Sequence, residues 1–416
     1  MSATIVQSGT YLLEIGTGNI VNQFTLNSAT LGVLDVNQLE GEDEFADITA
    51  YADTIDYRRG RQRAVDQQNQ AGLLNFRMAD NVASGNLNPL YSGSTFWSTN
   101  EGVPGLAPMR PVRLSRSGVY LFKGRVTSYT YEYQLGGLDL VNVHCADNQL
   151  LLGQAIMPAA ATTAELSGTR VTAILDKTSV SYPATTRSIA TGTVTLGAFA
   201  IETDTSASSY LQRVVEAEQG RLFVSRSGVL TFQNRIGSTL TAPTVLFSDA
   251  GQIPYNEVSI DFDQTNVVNR AAVTIDGGTE QVSSNAASQA RYFVQAVGIA
   301  DSLLSTNAQA STLADYLLVP YPQPRYSRLG TSFALLTDAQ RTTVAALEIG
   351  DSIQVTKAML AGGSITQVLA IEGIDATITV SGGHSVTLYT SPQVVLSTFI
   401  LDDPAYGILS TTNALG

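Results

Sequence analysis

A chain of 416 residues is long enough for two to four domains of about 100–200 residues each. Its 44% hydrophobic and 14% charged residues exclude a disordered tail, and no apolar run approaches the roughly 18 residues that a spanning helix needs. A formal charge of −13 argues against a nucleic-acid grip, which neutralises phosphates with clustered Lys and Arg. The same charge suits an assembly that lets DNA slide past.

The opening MSATIVQSGTYLLEIG has no basic stretch before its apolar part and contains Glu14, so no secretory signal is expected. A single cysteine, Cys145, excludes an internal disulfide and a multi-cysteine zinc site and fits folding in a reducing cytoplasm. Residues 1–44 are expected to form an N-terminal strand or arm.

Along the chain the commonest signal is period-two alternation bounded by turn residues. Residues 45–155 read as a first β-barrel. In it an RRGRQRA cluster opens the strand AGLLNFRMADN, and a long Asn/Gly/Ser/Pro loop from Val82 to Met109 leads into RPVRL and YLFKGRV. In VYLFKGRVTSYTYEY, Tyr120, Phe122 and Val126 share one parity, Leu121 takes the other, and Tyr129, Tyr131 and Tyr133 line up again. The Gly136-Gly137 turn and LDLVNVHCAD complete a hairpin.

Residues 156–250 read as a small α/β domain. One helix is predicted over 164–177, with Leu166, Val171, Ile174 and Leu175 on its apolar face. A second starts after Asp204 or Thr205, carries Leu211, Val214 and Val215, and stops at Gly220. The strand RLFV then turns through Ser225 to Gly228 into VLTFQNR. Residues 251–395 read as a second β-barrel, interrupted by a helix near 306–318 that Pro320, Pro322 and Pro324 end. Residues 396–416 form a C-terminal arm. The fold class is therefore mainly β with an α+β insert: two antiparallel β units, a small α/β domain and a helical excursion.

Two echoes run along the chain. Phe24, Leu26, Gly32 and Leu34 recur as Phe399, Leu401, Gly407 and Leu409 at a constant offset of 375. The spacing is either chance among strand-and-turn sequences or a duplicated arm by which each end docks. SRSGVYLFKGRV and SRSGVLTFQNRI, 110 residues apart, share turn chemistry.

Catalytic constellations are sparse. His144 adjoins Cys145, but strand neighbours point to opposite faces, which leaves Cys145 with the distant His384 or, as a simpler role, Cys145 as a small buried hydrophobe. Paired acids such as Glu216 with Glu218, Glu40 with Glu42 or Asp402 with Asp403 have the spacing of solvated surface rather than of a hydrolase dyad. Asp261 and Asp263 lack the Gly and terminal Glu of a calcium loop. The pairs Gly277-Gly278, Gly362-Gly363 and Gly382-Gly383 read as turns. No catalytic residue, metal or cofactor is expected. Arg58, Arg59, Arg61 and Arg63 form the one dense basic patch. It is read as a DNA contact, a solvated face or, preferred, a subunit contact with the acids of Gly41 to Asp47.

Several short motifs occur in a distinctive order: Gly60-Arg61, Val65-Asp66, Ala71-Gly72, the strand Leu73 to Met78, Asn88-Pro89, Pro111 to Arg113 and Leu121 to Gly124. Further on come LQRVVEAEQGRLFVSRSGVLTFQNR, VVNRAAVT, LEIGDSIQV and FILDDPAYGIL. Together they resemble the minor tail and tail-hub (baseplate) proteins of long-tailed siphophages, from about Thr25 to the C-terminus. Ala79-Asp80-Asn81 departs from the polar turn usual there. The resemblance implies a homotrimeric virion protein at the distal end of the tail, made in the host cytoplasm, each chain giving two tube-like β-barrels to a ring. It also implies contacts with a distal tail protein, a tape measure protein and other minor tail proteins, DNA only as passing cargo, no stable membrane insertion and no enzymatic activity. The alternative is a carbohydrate-binding baseplate module that recognises the host surface through Trp97, Tyr129, Tyr131 and Tyr133.

Overall fold

The computed structural model describes residues 11–21, 42–62, 70–80, 85–133, 138–235, 243–249, 251–380 and 383–392, and the backbone of 397–398 and 413–414. Thirteen strands form one sheet. In chain order they are β1 (Tyr11–Val21), β2 (Glu42–Asp47), β3 (Ala52–Gly60), β4 (Leu73–Asp80), β5 (Pro111–Arg116), β6 (Val119–Glu132) and β7 (Asp139–Ala146). The remainder are β8 (Val245–Ser248), β9 (Glu257–Asp261), β10 (Arg325–Ser332), β11 (Ser352–Ala358), β12 (Ser364–Thr379) and β13 (Gly383–Pro392).

Alternation decides which side chains enter the core. In β4, Leu74, Phe76 and Met78 are buried while Leu73 and Arg77 face out. In β7, Val141, Val143 and Cys145 are buried while His144 is exposed. Register places Leu74 opposite Cys145, Phe76 opposite Val143 and Met78 opposite Val141, so the two strands share one apolar face. Each such large side chain contributes about 1.5–3 kcal/mol on burial.

The neighbour order is β9-β10-β13-β12-β3-β4-β7-β6-β5-β1-β2, with β11 beside β12 and β8 beside β11. Every pair in it is antiparallel except β8 with β11. β12 is the weld. Its first half pairs with β11 and its second half with β3, while β13 pairs along its other edge. The two β units expected as separate barrels are therefore halves of one sheet over one core, in which Leu13, Ile55, Phe76 and Phe122 join Phe247, Ile353, Leu369 and Leu388. Among the described strands the path ends at β9 and β2 and no pairing closes it. Periodicity reveals a strand but not its partner, and a 16-residue strand shared by both halves leaves no mark in the sequence.

A second core lies under helices α1 (Gln149–Gln154), α2 (Ser167–Leu175) and α3 (Ala207–Glu218). It includes Val171, Ile174, Leu211, Val214, Leu222 and Phe232, and also Ala271, Val273, Ile299, Leu313 and Ala314 from much later in the chain. The predicted excursion at 306–318 is helix Asn307–Tyr316 with Thr306 as its N-cap. It lies in the chain between β9 and β10, which pair with each other, and packs with strand Arg270–Ile275 into this second core.

The ends of α3 differ from expectation. Ser206, not Asp204 or Thr205, caps it by accepting from Ser209 N at 3.2 Å. The left-handed residue is Gln219 at φ 56°. Gly220 is needed for another reason: a Cβ there would lie 2.3 Å from the Gln233 carbonyl oxygen. Three of the described α-helices were not predicted: α1, Ala286–Tyr292 and Asp338–Ala345. The last begins with a full capping box, Thr337 with Gln340, a pattern readable in the sequence.

Candidate assembly surfaces and the charged joint behind them

The arginine cluster was expected to meet the acids of 41–47. In the fold, Asn19 and Thr17 donate to Glu44 at 2.8 and 3.1 Å, and Arg59 and Arg61 face carboxylates 289 and 311 positions downstream. Arg59, 3% exposed, pairs with Glu348. Arg61 Nε donates to Glu372 Oε2 at 2.8 Å. Arg58 stands opposite Asp375 in the ladder between β3 and β12, and Arg63 lies outside the described residues.

Glu372 is the centre of this joint. The β12 ladder shifts register between Ile371 and Gly373, a bulge that re-aims the residue between them. Two glycines let the strands come this close: a Cβ on Gly60, at φ +78°, would lie 2.3 Å from Glu372 O, and one on Gly373 would lie 2.4 Å from Arg61 O. The Glu372 carboxylate is 2% exposed and accepts from Arg221 Nη2 at 2.6 Å, Arg61 Nε at 2.8 Å and Ser391 Oγ at 2.6 Å. Burial pushes its pKa up, but the Arg221 and Arg61 guanidinium groups outweigh that and hold it down to about 2. Arg221 belongs to strand Arg221–Val224, at the margin of the second core. One carboxylate thus ties the second core to β3, β12 and β13. Glu348 repeats the arrangement beside it, accepting from Arg226 N at 2.8 Å as well as from Arg59.

A second buried polar cluster crosses the sheet interior. His384 of β13 is fully buried, with Nδ1 2.9 Å from Tyr11 Oη and Nε2 3.4 Å from Tyr57 Oη. Burial, reinforced by the nearby charge of Arg116, lowers its pKa to about 3. Both ring nitrogens face tyrosine hydroxyls, so His384 does not serve Cys145. The Cys145 thiol is buried and pushed well up by desolvation, the opposite of what a nucleophile needs. Of the acid pairs considered, Glu218 is fully buried and accepts from Ser167 Oγ at 2.7 Å, Thr193 Oγ1 at 2.5 Å and Val194 N at 3.1 Å. It fixes the second core, and its lone pairs are committed.

Tyrosines of β6 and the residue after it stack in sequence, Tyr129 on Tyr131 at 6.1 Å and Tyr131 on Tyr133 at 6.2 Å. Trp97, Phe96, Leu106 and Tyr131 line a pocket of about 10 Å³, room for about one water and far short of a sugar ring. The loop over 85–109 is built rather than loose: the Asn19 side-chain oxygen accepts from Thr99 N at 2.9 Å, and Ser94 Oγ donates to Asn86 O at 2.6 Å. Its tip offers Leu90, 90% exposed. Phe24, Leu26, Gly32, Leu34, Phe399, Leu401, Gly407 and Leu409 lie outside the described residues.

One exposed anchor was missed. Phe293 is 84% exposed, at φ 59° and ψ 178°, a conformation that strains any residue with a Cβ. Buried Asn269 over-determines it, donating to Phe293 O at 2.7 Å and to Ser288 Oγ at 3.1 Å while accepting from Gln295 N at 2.8 Å. The Asn269-Arg270 pair in VVNRAAVT was the only sequence signal.

No family model matches the sequence, and no curated protein matches it. Solved structures do. A tail protein from Neisseria meningitidis MC58 is 10% identical, with 94% of this chain and 98% of that one covered at a TM-score of 0.59. The 43 kDa tail protein of prophage MuSo2 from Shewanella oneidensis is 9% identical, with 92% and 98% covered and a TM-score of 0.57. Prophage tail protein gp18 from Listeria monocytogenes EGD-e is 11% identical, with 91% and 94% covered and a TM-score of 0.50. At these identities the likeness is one of fold. The chain has the fold of phage tail proteins, as the motifs from Gly60-Arg61 onward imply.

Proposed function

We propose that the chain is a structural virion protein, a tail-tip or baseplate hub that closes the distal end of the tail tube and opens for DNA ejection. The observation that carries this reading is the fold shared with three tail proteins over at least 91% of each chain compared. A non-enzymatic role agrees with the burial of Cys145, His384 and Glu218, whose polar atoms serve packing. The charge of −13 favours DNA as passing cargo rather than as a bound partner.

On this reading three chains form a ring that contacts a distal tail protein, a tape measure protein and other minor tail proteins. The Leu90 tip and the Phe293 anchor are the described surfaces best suited to such contacts, being exposed apolar groups on rigid supports. Cross-linking of intact tails, followed by denaturing electrophoresis, is expected to give a band at three times 44.1 kDa. Monomer alone at saturating cross-linker would rule the trimer out. The carbohydrate-binding alternative gains no support from the narrow pocket at Trp97.

A further inference from the structure

The strand Ala296–Ser302 is the edge of a three-stranded sheet that packs into the second core. It runs parallel to Arg270–Ile275, and no described strand pairs with its other side. Gln295 O accepts from Asn269 N at 2.9 Å and from Arg270 N at 3.2 Å. Odd-numbered residues therefore turn their backbone groups toward Arg270–Ile275, and the N–H and C=O of Ala296 and Gly298 point to the open side.

Open edges are ordinarily protected by charged side chains, proline or a bulge. The two edges of the large sheet follow that rule, β2 with Asp43, Glu44 and Asp47 and β9 with Glu257 and Asp261. Residues 295–300 hold no charge and no proline, and the ladder keeps its register as far as Val273 and Ile299. Ala296, Gly298 and Ala300 are exposed, and a Cβ on Gly298 would meet nothing within 4 Å. Just before this bare edge stand Phe293, 84% exposed, and Val294, 58% exposed. The Phe293 backbone takes a conformation that belongs to glycine and is held there by buried Asn269, a strain of the kind that collects at ligand clamps.

We propose that residues 293–300 are a docking edge for an extended, uncharged segment of a different tail protein, which adds a strand beside 296–299 and takes Phe293 as its side-chain anchor. The inference rests on placement in a tail. Only an extended backbone presents donors and acceptors at the spacing of the Ala296 and Gly298 groups. The segment is uncharged where it pairs, because residues 295–300 offer no counter-ion and a lone buried charge is costly. A second copy of this chain fits less well. Its β2 or β9 would bring acids to a stretch without a cation, and its own Ala296–Ser302 would give a twofold pair rather than a threefold ring.

The test uses intact tails and the purified chain. Hydrogen–deuterium exchange read by mass spectrometry is expected to be at least about tenfold slower over 296–298 in tails than in the purified chain. Benzoylphenylalanine in place of Phe293, irradiated in tails, is expected to cross-link to a different tail protein. Phe293→Gly suits the strained backbone, so its melting temperature should equal or exceed that of wild type while its incorporation into tails falls at least about tenfold. Equal exchange in both samples, a cross-link only to another copy of this chain, or wild-type incorporation of Phe293→Gly overturns the proposal. So does a lower melting temperature for Phe293→Gly, which would assign the side chain to the fold. Each of these results leaves the chain in the tail, whereas its absence from purified tails would contradict that placement and this inference with it.

Discussion

Glu372→Gln is expected to destabilise the folded chain by about 3–5 kcal/mol, the usual cost of removing one partner from a buried ion pair. The amide keeps the shape and one bond to Ser391 Oγ, but it leaves Arg221 and Arg61, 8% and 14% exposed, without their anion. Burying the Arg221 guanidinium without its carboxylate costs more than the lost hydrogen bonds. Because Arg221 comes from the margin of the second core and Arg61 from the end of β3, the damage falls on their joint. Calorimetry should show the wild-type transition lowered and split, one component for each core. Unchanged melting would mean that Glu372 is not the tie described.

The largest pH effect comes from two buried groups with opposed shifts. Burial lowers the pKa of His384 from 6.5 to about 3, so between those values the unfolded chain binds the extra proton and stability is lost as pH falls. Burial raises the pKa of Asp147 from 3.8 to about 7, against hydrogen bonds from Gln149 and Gly72 that favour its charged form. In that window the folded chain binds the extra proton, and stability is lost as pH rises. Each group alone gives a slope of about 1.4 kcal/mol per pH unit.

From pH 6.5 to 4.5 the two slopes oppose each other, so wild type should change less than either variant below. Below 4.5 stability should fall steeply, as Glu372 is protonated toward its depressed value near 2 while His384 continues to lose. Urea unfolding followed through the single tryptophan, Trp97, measures this. His384→Asn should become more stable as pH drops from 6.5 to 4.5, and Asp147→Asn less stable. The same sign of slope in both variants would contradict the assignment.

Much of the strand pattern was legible. Leu74, Phe76 and Met78, or Val141, Val143 and Cys145, are alternations that period two predicts and burial reproduces. Helices α2 and α3 were visible in their apolar spacing. Partnership was not legible, since nothing near Arg61 points to Glu372 or near Tyr57 to His384. The clue that was present is a glutamate beside a glycine in VLAIEGIDATITV. A glycine inside a strand often marks a bulge, and the bulge here re-aims the neighbouring glutamate.

The short motifs that carry the tail-protein resemblance acquire physical causes in the same way. Gly60 and Gly373 permit a close crossing, and Arg61 meets Glu372 there. Glu348 of LEIGDSIQV holds Arg59 and the Arg226 amide. Glu218 organises the 193–194 backbone, and Asn269 fixes the strained loop at Phe293. These are buried polar groups and close contacts, which composition and periodicity do not reveal.

The central claim is position in the particle. Cryo-electron microscopy of tails carrying an affinity tag on this chain, decorated with a tag-specific antibody fragment, tests it most directly. The account predicts density on the tail axis at the distal end with threefold symmetry. Label along the tube, off the axis on peripheral fibres, or absent from the particle would contradict it.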